Sequence, residues 1–272
     1  GLEINDLLLS ALGLALVHWQ EAQYGRDRLP LLIDVEGHGR ERGEDGPDIS
    51  RTVGWFTSLF PVRFDPTGLD PAEAVSGGPS AGHALKRMKA VLRSLPDKGL
   101  GYGILRHLDQ DGADLGDAGH GDIAFNYLGR ISEGGGDSSG WQLARGVGSG
   151  GVDQEQRRHH LLEVNALLDG DNALTVSWSW CRQAHVADSI AGLADAFENA
   201  LEGLISHSLE APLAQVHIPA DFALANLDDE SLGEIEISSP GLEDILPLTP
   251  LQHGLAFESQ ALARGQDDPY IV

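Results

Sequence analysis

The stretch from residue 160 to residue 180 constrains the fold most, because apolar side chains alternate there in two neighbouring segments. A period of two residues is typical of β-strands that bury one face. Residues 169–172 lie between the segments and read Asp-Gly-Asp-Asn, a run of turn formers that predicts an antiparallel hairpin. A sheet that contains this hairpin must bury its apolar face against another layer. The alternating positions are His160, Leu162, Val164, Ala166 and Leu168, followed by Leu174, Val176, Trp178 and Trp180.

Helical patterns supply that second layer. Apolar positions recur at helical spacing in residues 5–19, 80–95 and 188–205, and Asn5 or Asp6 is the expected N-cap of the first helix. Short apolar runs at 29–35, 53–64 and 123–128 predict further strands, with Trp55 and Phe56 as core residues. The sequence therefore predicts an α/β fold, a mixed-sheet α/β sandwich with helices on one side of the sheet.

Charge and cysteine usage exclude several classes of protein. The net charge is −24, and such a surface repels nucleic acid and anionic lipid. The longest apolar stretch, residues 7–17, is too short to span a bilayer, so no membrane partner is expected. Cys181 is the only cysteine, so an internal disulfide is impossible and a cytoplasmic location is the expectation.

The segment from Asp34 to Glu41 has the most chemical character. A buried strand delivers the Glu36 carboxylate at its end, two glycines allow a tight turn, and Arg40 follows four residues later. Glu36 can act as a general acid or base if partial burial raises its pKa. Spacing alone favours the alternative, in which Glu36 and Arg40 form a structural ion pair beside the turn.

Two histidines form a less promising pair. His159 and His160 are adjacent on a predicted strand, so their side chains should point to opposite faces and cannot easily share a metal ion. No clustered set of metal ligands stands out elsewhere, and no metal is expected.

Four longer segments carry a resemblance to a known family. They are Val-Glu-Gly-His-Gly-Arg-Glu at 35–41, Arg-Thr-Val-Gly-Trp-Phe-Thr-Ser-Leu-Phe-Pro-Val at 51–62, Pro-Asp-Lys-Gly-Leu-Gly-Tyr-Gly at 96–103 and Phe-Asn-Tyr-Leu-Gly-Arg at 125–130. In this order and spacing, they resemble epimerization domains of nonribosomal peptide synthetases over about residues 2–208. The resemblance implies one lobe, the C-terminal lobe, of a fold similar to chloramphenicol acetyltransferase.

The resemblance also implies an order of domains. Residues 1–210 would form the C-terminal lobe of an epimerization domain, and residues 211–241 would form an interdomain linker. Residues 242–272 contain Leu-Glu-Asp-Ile-Leu-Pro-Leu-Thr-Pro-Leu-Gln-His-Gly and resemble the start of a condensation domain.

The implied activity is inversion of an amino-acid Cα, from L to D. The substrate would be an aminoacyl or peptidyl thioester on the 4′-phosphopantetheine of a peptidyl carrier protein, with no intrinsic cofactor. The resemblance assigns catalytic roles to Glu36, Asn126 and Tyr127, and supporting roles to Arg40, His38 and Tyr102. Glu36 would exchange protons at a pKa near the working pH.

A second catalytic group is expected outside this sequence. The family's paired-histidine motif, His-His-x-x-x-Asp-Gly, lies in the N-terminal lobe and does not occur here. We therefore expect the chain to be inactive alone and to need that lobe as a partner. The other expected neighbours are a downstream condensation domain and, through an uncovered apolar face, a second copy of the chain in a homodimer. Two alternatives remain open, a non-catalytic docking or scaffolding module for carrier proteins and a fragment of a condensation-type acyltransferase.

Overall fold

The structure, a computed structural model, describes residues 1–25, 29–40, 48–108, 121–130, 157–170, 172–210, 217–239 and 241–262. Two compact units are present, one formed by residues 2–216 and one by residues 217–272 together with Gly1. Within the described ranges, no helix combines the length and the apolar character that a membrane crossing requires.

The larger unit is built on a five-stranded sheet with the order β2-β1-β3-β4-β5. Its strands are β1 (Leu31–Gly37), β2 (Ser58–Phe64), β3 (Ile123–Arg130), β4 (Leu162–Leu168) and β5 (Leu174–Trp180). The two outer pairs are antiparallel, whereas β3 runs parallel to both β1 and β4. The predicted mixed sheet is therefore confirmed, and so is the hairpin, in which Leu162 faces Trp180 and Leu168 faces Leu174.

Helices of this unit pack together and bury the apolar face of the sheet. They are α1 (Ile4–Tyr24), α2 (Pro71–Val75), α3 (Pro79–Ser94), α4 (Leu100–His107) and α5 (Ala187–Glu210), with a 3₁₀ turn at Pro96–Gly99. Helix α1 contacts both α3 and α5, and its side chains from Leu8 to Val17 are almost fully buried. The predicted α/β sandwich is confirmed.

The N-terminus of α1 corrects the predicted cap. Glu3 is the N-cap, and Asp6 occupies the third helical position of a capping box. The Asp6 Oδ2 atom accepts a hydrogen bond of 2.7 Å from the Glu3 amide. Asp6 is fully buried and pairs with the Arg93 guanidinium at 3.2 Å, so it also ties α1 to α3. The apolar pattern predicts the helix, but it leaves the first turn ambiguous by one or two residues.

Residues 53–57 correct a second prediction, because they precede the strand. Strand β2 begins only at Ser58, and Trp55 is 90% exposed rather than part of the core. These residues do not extend the strand because their backbone is bound differently. The carbonyl groups of Thr52 and Gly54 accept hydrogen bonds from the Arg40 side chain, not from a neighbouring strand.

The smaller unit contains a 3₁₀ turn at Pro219–Phe222 and helices α6 (Asp229–Ser238) and α7 (Pro250–Leu262). The His217 ring stacks edge-on against Phe222 at 5.2 Å, and its Nδ1 atom lies 3.3 Å from Glu236 Oε1. Residues 211–241, predicted as a linker, thus include short ordered helices. The predicted start of a condensation domain, 242–272, is described as far as residue 262.

Candidate functional site

The strands present one apolar and one polar face. Along β1, Ile33 and Val35 join the core, so Asp34 and Glu36 lie on the opposite face. The pairing between strands places other polar residues on that side, and we call this surface the polar face. It comprises Asp34, Glu36, Asn126, Glu163, Asn165, Ser177 and Ser179.

Glu36 and Asn126 meet on the polar face. They are direct neighbours in the parallel pairing of β1 and β3, so both side chains project at the same level. The Asn126 Nδ2 group donates a hydrogen bond of 2.8 Å to Glu36 Oε2. Both residues are half-buried. The sheet therefore brings together two of the predicted catalytic residues, which are 90 positions apart in the sequence.

The surroundings of Glu36 favour its protonated form. Burial raises the pKa of the Glu36 carboxyl above its usual value, and the negative charge of Glu163 acts in the same direction. The charge of His160 opposes both by lowering this pKa. A carboxyl group with a raised pKa, held by an amide donor, can give and take a proton closer to neutral pH than an exposed glutamate can.

Asp34, on the polar face with Glu36, belongs to a buried pair that the sequence does not predict. The His160 Nε2 atom lies 2.9 Å from Asp34 Oδ2, and the Gly121 amide donates to Asp34 Oδ1 at 3.4 Å. His160 is 9% exposed and Asp34 is 4% exposed. Alternation predicts His160 on the apolar side of the hairpin, but it lies before β4 begins and its ring turns toward Asp34. The one sequence signal that could have pointed to this pair is the spacing of Asp34 and Glu36, which places both carboxyl groups on the same face of β1.

Tyr127 and Tyr102 lie in apolar surroundings. Tyr127 follows Asn126 on β3, so its side chain projects to the other face, where it packs against the core. Tyr102 on α4 also packs against the core, and its hydroxyl accepts a hydrogen bond from Arg106. The structure does not bring either tyrosine into contact with Glu36, and their roles in the site stay predictions.

Arg40 fixes the loop that follows β1. Its Nη1 group donates to the carbonyl oxygens of Ile49 at 2.7 Å and Thr52 at 2.9 Å, and its Nη2 group donates to Gly54 at 3.4 Å. The guanidinium also lies 4.4 Å from the centre of the Phe56 ring. The prediction of an ion pair between Arg40 and Glu36, which spacing favours, is therefore wrong.

His38 shapes the same turn. It is exposed, and its Nδ1 atom accepts a hydrogen bond of 3.0 Å from the Arg40 amide. The structure therefore places His38 and Arg40 as supports of the loop after Glu36. A contact of either residue with substrate stays a prediction.

Arg40→Lys should loosen this loop without changing the ionisation of Glu36. A lysine ammonium group cannot reproduce the planar set of donors or the stacking on Phe56. We expect faster amide hydrogen exchange in residues 52–57 and an unchanged titration of the Glu36 carboxyl. Hydrogen-exchange mass spectrometry and carboxyl NMR measure the two effects. Arg63→Lys, at an exposed arginine of β2, is the matched control. An altered Glu36 titration with an intact loop would contradict the assignment.

The arrangement has the features of a proton-transfer site. In the part of the chain that the structure describes, no group of three or more His, Cys, Asp and Glu side chains is placed to hold a metal ion. The site instead presents one half-buried carboxyl group that is oriented by an amide and surrounded by ionisable neighbours.

Comparison with known proteins gives a consistent set of relatives. The family model described as "Condensation domain" matches residues 1–227. A linear gramicidin synthase protein of Brevibacillus parabrevis is 38% identical over 274 residues, which is 100% of this chain and 3% of that protein. Bacitracin synthase 3 of Bacillus licheniformis is 34% identical over 262 residues, with 94% of this chain and 4% of that protein covered.

Among solved structures, the chain is similar to the epimerization domain from the third module of tyrocidine synthetase B. The identity is 34% and the TM-score is 0.62, over 76% of this chain and 43% of that chain. The chain thus spans less than half of this solved domain and a small fraction of the two synthases.

Proposed function

Because the chain belongs to the condensation-domain family, we propose that it forms part of an epimerization domain of a nonribosomal peptide synthetase. It would invert the Cα of an aminoacyl or peptidyl thioester held on the 4′-phosphopantetheine of a peptidyl carrier protein. The observation that carries this proposal is the Glu36 carboxyl, which is hydrogen-bonded to Asn126 and has a raised pKa.

Two lines of support favour epimerization over acyl transfer within the family. The segments at 35–41, 51–62, 96–103 and 125–130 resemble epimerization domains in their order and wording. The solved structure that is 34% identical to this chain is itself an epimerization domain. The Glu36 and Asn126 contact joins the first and the last of these segments.

The proposed reaction moves one proton off the Cα and returns one to it. A thioester carbonyl acidifies the Cα–H bond, so a base on one side of the carbon can remove the proton and leave a planar enolate. A proton delivered to the opposite side then gives the other stereoisomer, and no bond of the thioester breaks. Glu36 would serve one side, and a histidine of the N-terminal lobe would serve the other.

Asn126 supports both states of Glu36 in this scheme. Its amide group donates to Oε2, so it fixes the direction of the carboxyl group and stabilises the anion after the proton leaves. Burial and the Glu163 charge act against that anion. The balance lets Glu36 accept a proton and release it again in the same cycle.

The proposal includes partners that follow from this chemistry. The carrier protein brings the substrate, the N-terminal lobe supplies the second catalytic group, and a condensation domain after residue 242 would accept the inverted product. The proposed location is the cytoplasm, where carrier-bound intermediates are made.

An isotope-exchange assay tests the proposal. Carrier protein loaded with an aminoacyl thioester is incubated in deuterated water with this chain, or with a two-lobe domain that contains it. Deuterium at Cα and the D stereoisomer should appear only with the two-lobe domain. A second arm supplies two loaded carriers and monitors a new amide bond. Amide formation without Cα exchange would overturn epimerization and favour the acyltransferase, and binding of carrier without either reaction would favour the docking module.

A further inference from the structure

We propose that Asp34 and His160 form a buried positioning pair whose charge acts on the Glu36 carboxyl, with His160 as the group that favours the Glu36 anion. The effect on Glu36 rests on the contact of His160 with Asp34, which shares the polar face with Glu36, and on the direction in which the His160 charge moves the Glu36 pKa. Its consequence for catalysis rests on the proposed function.

The backbone fixes the pair relative to Glu36. Asp34 and Glu36 are two residues apart on β1 and share the polar face, and β1 is held between β2 and β3. Strand geometry therefore sets the separation of their backbone positions. Asp34 uses both carboxylate oxygens, one for the Gly121 amide and one for the His160 ring.

The backbone at Gly121 packs closely against Asp34. A Cβ atom on Gly121 would lie 2.8 Å from the Leu32 carbonyl oxygen and 3.2 Å from Asp34 Oδ1. No larger residue fits at this position without a shift of the backbone. His160 and Asp34 are both buried, so water has little access to either group.

The groups around Glu36 come from every neighbouring strand. On β2 the register partner is the neutral Leu59, and on β3 it is the neutral amide Asn126. The ionisable neighbours are Asp34 on β1, His160 just before β4, and Glu163 on β4. Glu163 raises the pKa of Glu36, and His160 lowers it.

Arg158 is a further cation nearby, but its guanidinium group pairs with Glu163. The two groups lie 2.8 Å apart, and both side chains are about one-third exposed, at 34% and 37%. Solvent screens such a pair, whereas the His160 ring is shielded. When it is protonated, the buried imidazole therefore acts on Glu36 from inside the protein.

The consequence for the reaction is a division of roles. Burial and Glu163 favour the protonated carboxyl, which serves as the acid, and His160 favours the carboxylate, which serves as the base. His160 thus opposes the shift of Glu36 toward its protonated form. A purely structural His160 would stabilise the sheet without affecting this balance.

Carboxyl NMR on the 272-residue chain tests the pair without any need for activity. The chain is labelled with ¹³C at the glutamate carboxyl, and the Glu36 signal is assigned by its loss in Glu36→Gln. The midpoint of the Glu36 titration should shift to higher pH in His160→Gln and to lower pH in Glu163→Gln. Glu198→Gln, on α5 across the core, is the control and should leave the midpoint unchanged.

One measurement avoids the risk that His160→Gln fails to fold. Electrostatic coupling is mutual, so the chemical shifts of the His160 ring should differ between the wild-type chain and Glu36→Gln at a pH where Glu36 is ionised. Unchanged ring signals, or an unchanged Glu36 midpoint in folded His160→Gln, would overturn the pair.

The link to catalysis has its own readout. In the two-lobe domain, the rising limb of the pH profile for Cα exchange should move to higher pH in His160→Gln. If wild-type Cα exchange is absent while the NMR shifts are present, the proposed function fails and the pair stands. If exchange is present and its pH profile is the same in both proteins, His160 has no positioning role.

Discussion

Glu36→Gln should lower the rate of Cα–deuterium exchange in the two-lobe domain by about 10²–10⁴-fold, the usual contribution of one general acid or base. Glutamine has the same size and still accepts the Asn126 hydrogen bond through its carbonyl oxygen, so the local geometry should persist. What the variant lacks is a group that can hold and release the substrate proton. The predicted loss is therefore a loss of chemistry, with little change in substrate binding.

The measurement needs two controls. Glu198→Gln removes an equal charge from the helical layer and should retain wild-type exchange. Thermal unfolding should show that Glu36→Gln is at least as stable as the wild-type chain, because the burial that raises the pKa of Glu36 disfavours its anion. Retained exchange in a folded Glu36→Gln would remove Glu36 from the mechanism and leave the base unidentified.

The parts of the fold that depend on local periodicity are predictable from the sequence. Alternation in residues 162–180 specifies a hairpin because strand side chains repeat every two residues, and the hairpin is present. The first turn of α1 differs from its prediction by a few residues, because Glu3, Asn5 and Asp6 can all cap a helix and only the fold selects among them.

The resemblance identifies individual candidate residues of the site. It does not predict which of these residues contact one another in the fold. Glu36 and Asn126 meet because β1 and β3 are parallel neighbours, a pairing that spacing along the chain does not reveal. The contact between His160 and Asp34 is hidden in the sequence, since it spans 126 residues. Proximity in sequence suggests an ion pair for Arg40, whereas its donors reach carbonyl groups up to 14 residues away.

The turn after Glu36 has a strict requirement for glycine at position 39. Gly39 has a φ of +61°, in the left-handed region, and a Cβ atom there would lie 1.6 Å from the Phe56 carbonyl oxygen. That distance is far below any possible contact, and the obstacle is backbone, which cannot rotate away. A side chain at this position must therefore separate the turn from the segment that leads into β2.

Gly39→Ala should lower the free energy of unfolding by about 2–5 kcal/mol. The left-handed conformation costs a non-glycine residue about 1–2 kcal/mol, and forced overlap in a packed region adds about 1–3 kcal/mol. Gly68→Ala is the matched control, because Gly68 has a φ of +74° with open space around its Cβ position. It should show the conformational cost of about 1–2 kcal/mol alone.

Urea unfolding of both variants measures the difference, and hydrogen exchange locates it. In Gly39→Ala, protection should fall at residues 38–40 and 56–58, and Arg40 should lose its carbonyl contacts because they hold the same loop. Since Glu36 lies at the end of the strand that enters this turn, Cα exchange in the two-lobe domain should fall as well. Equal destabilisation by Gly39→Ala and Gly68→Ala would mean that the loop relieves the overlap freely, and that the turn does not hold Glu36 in place.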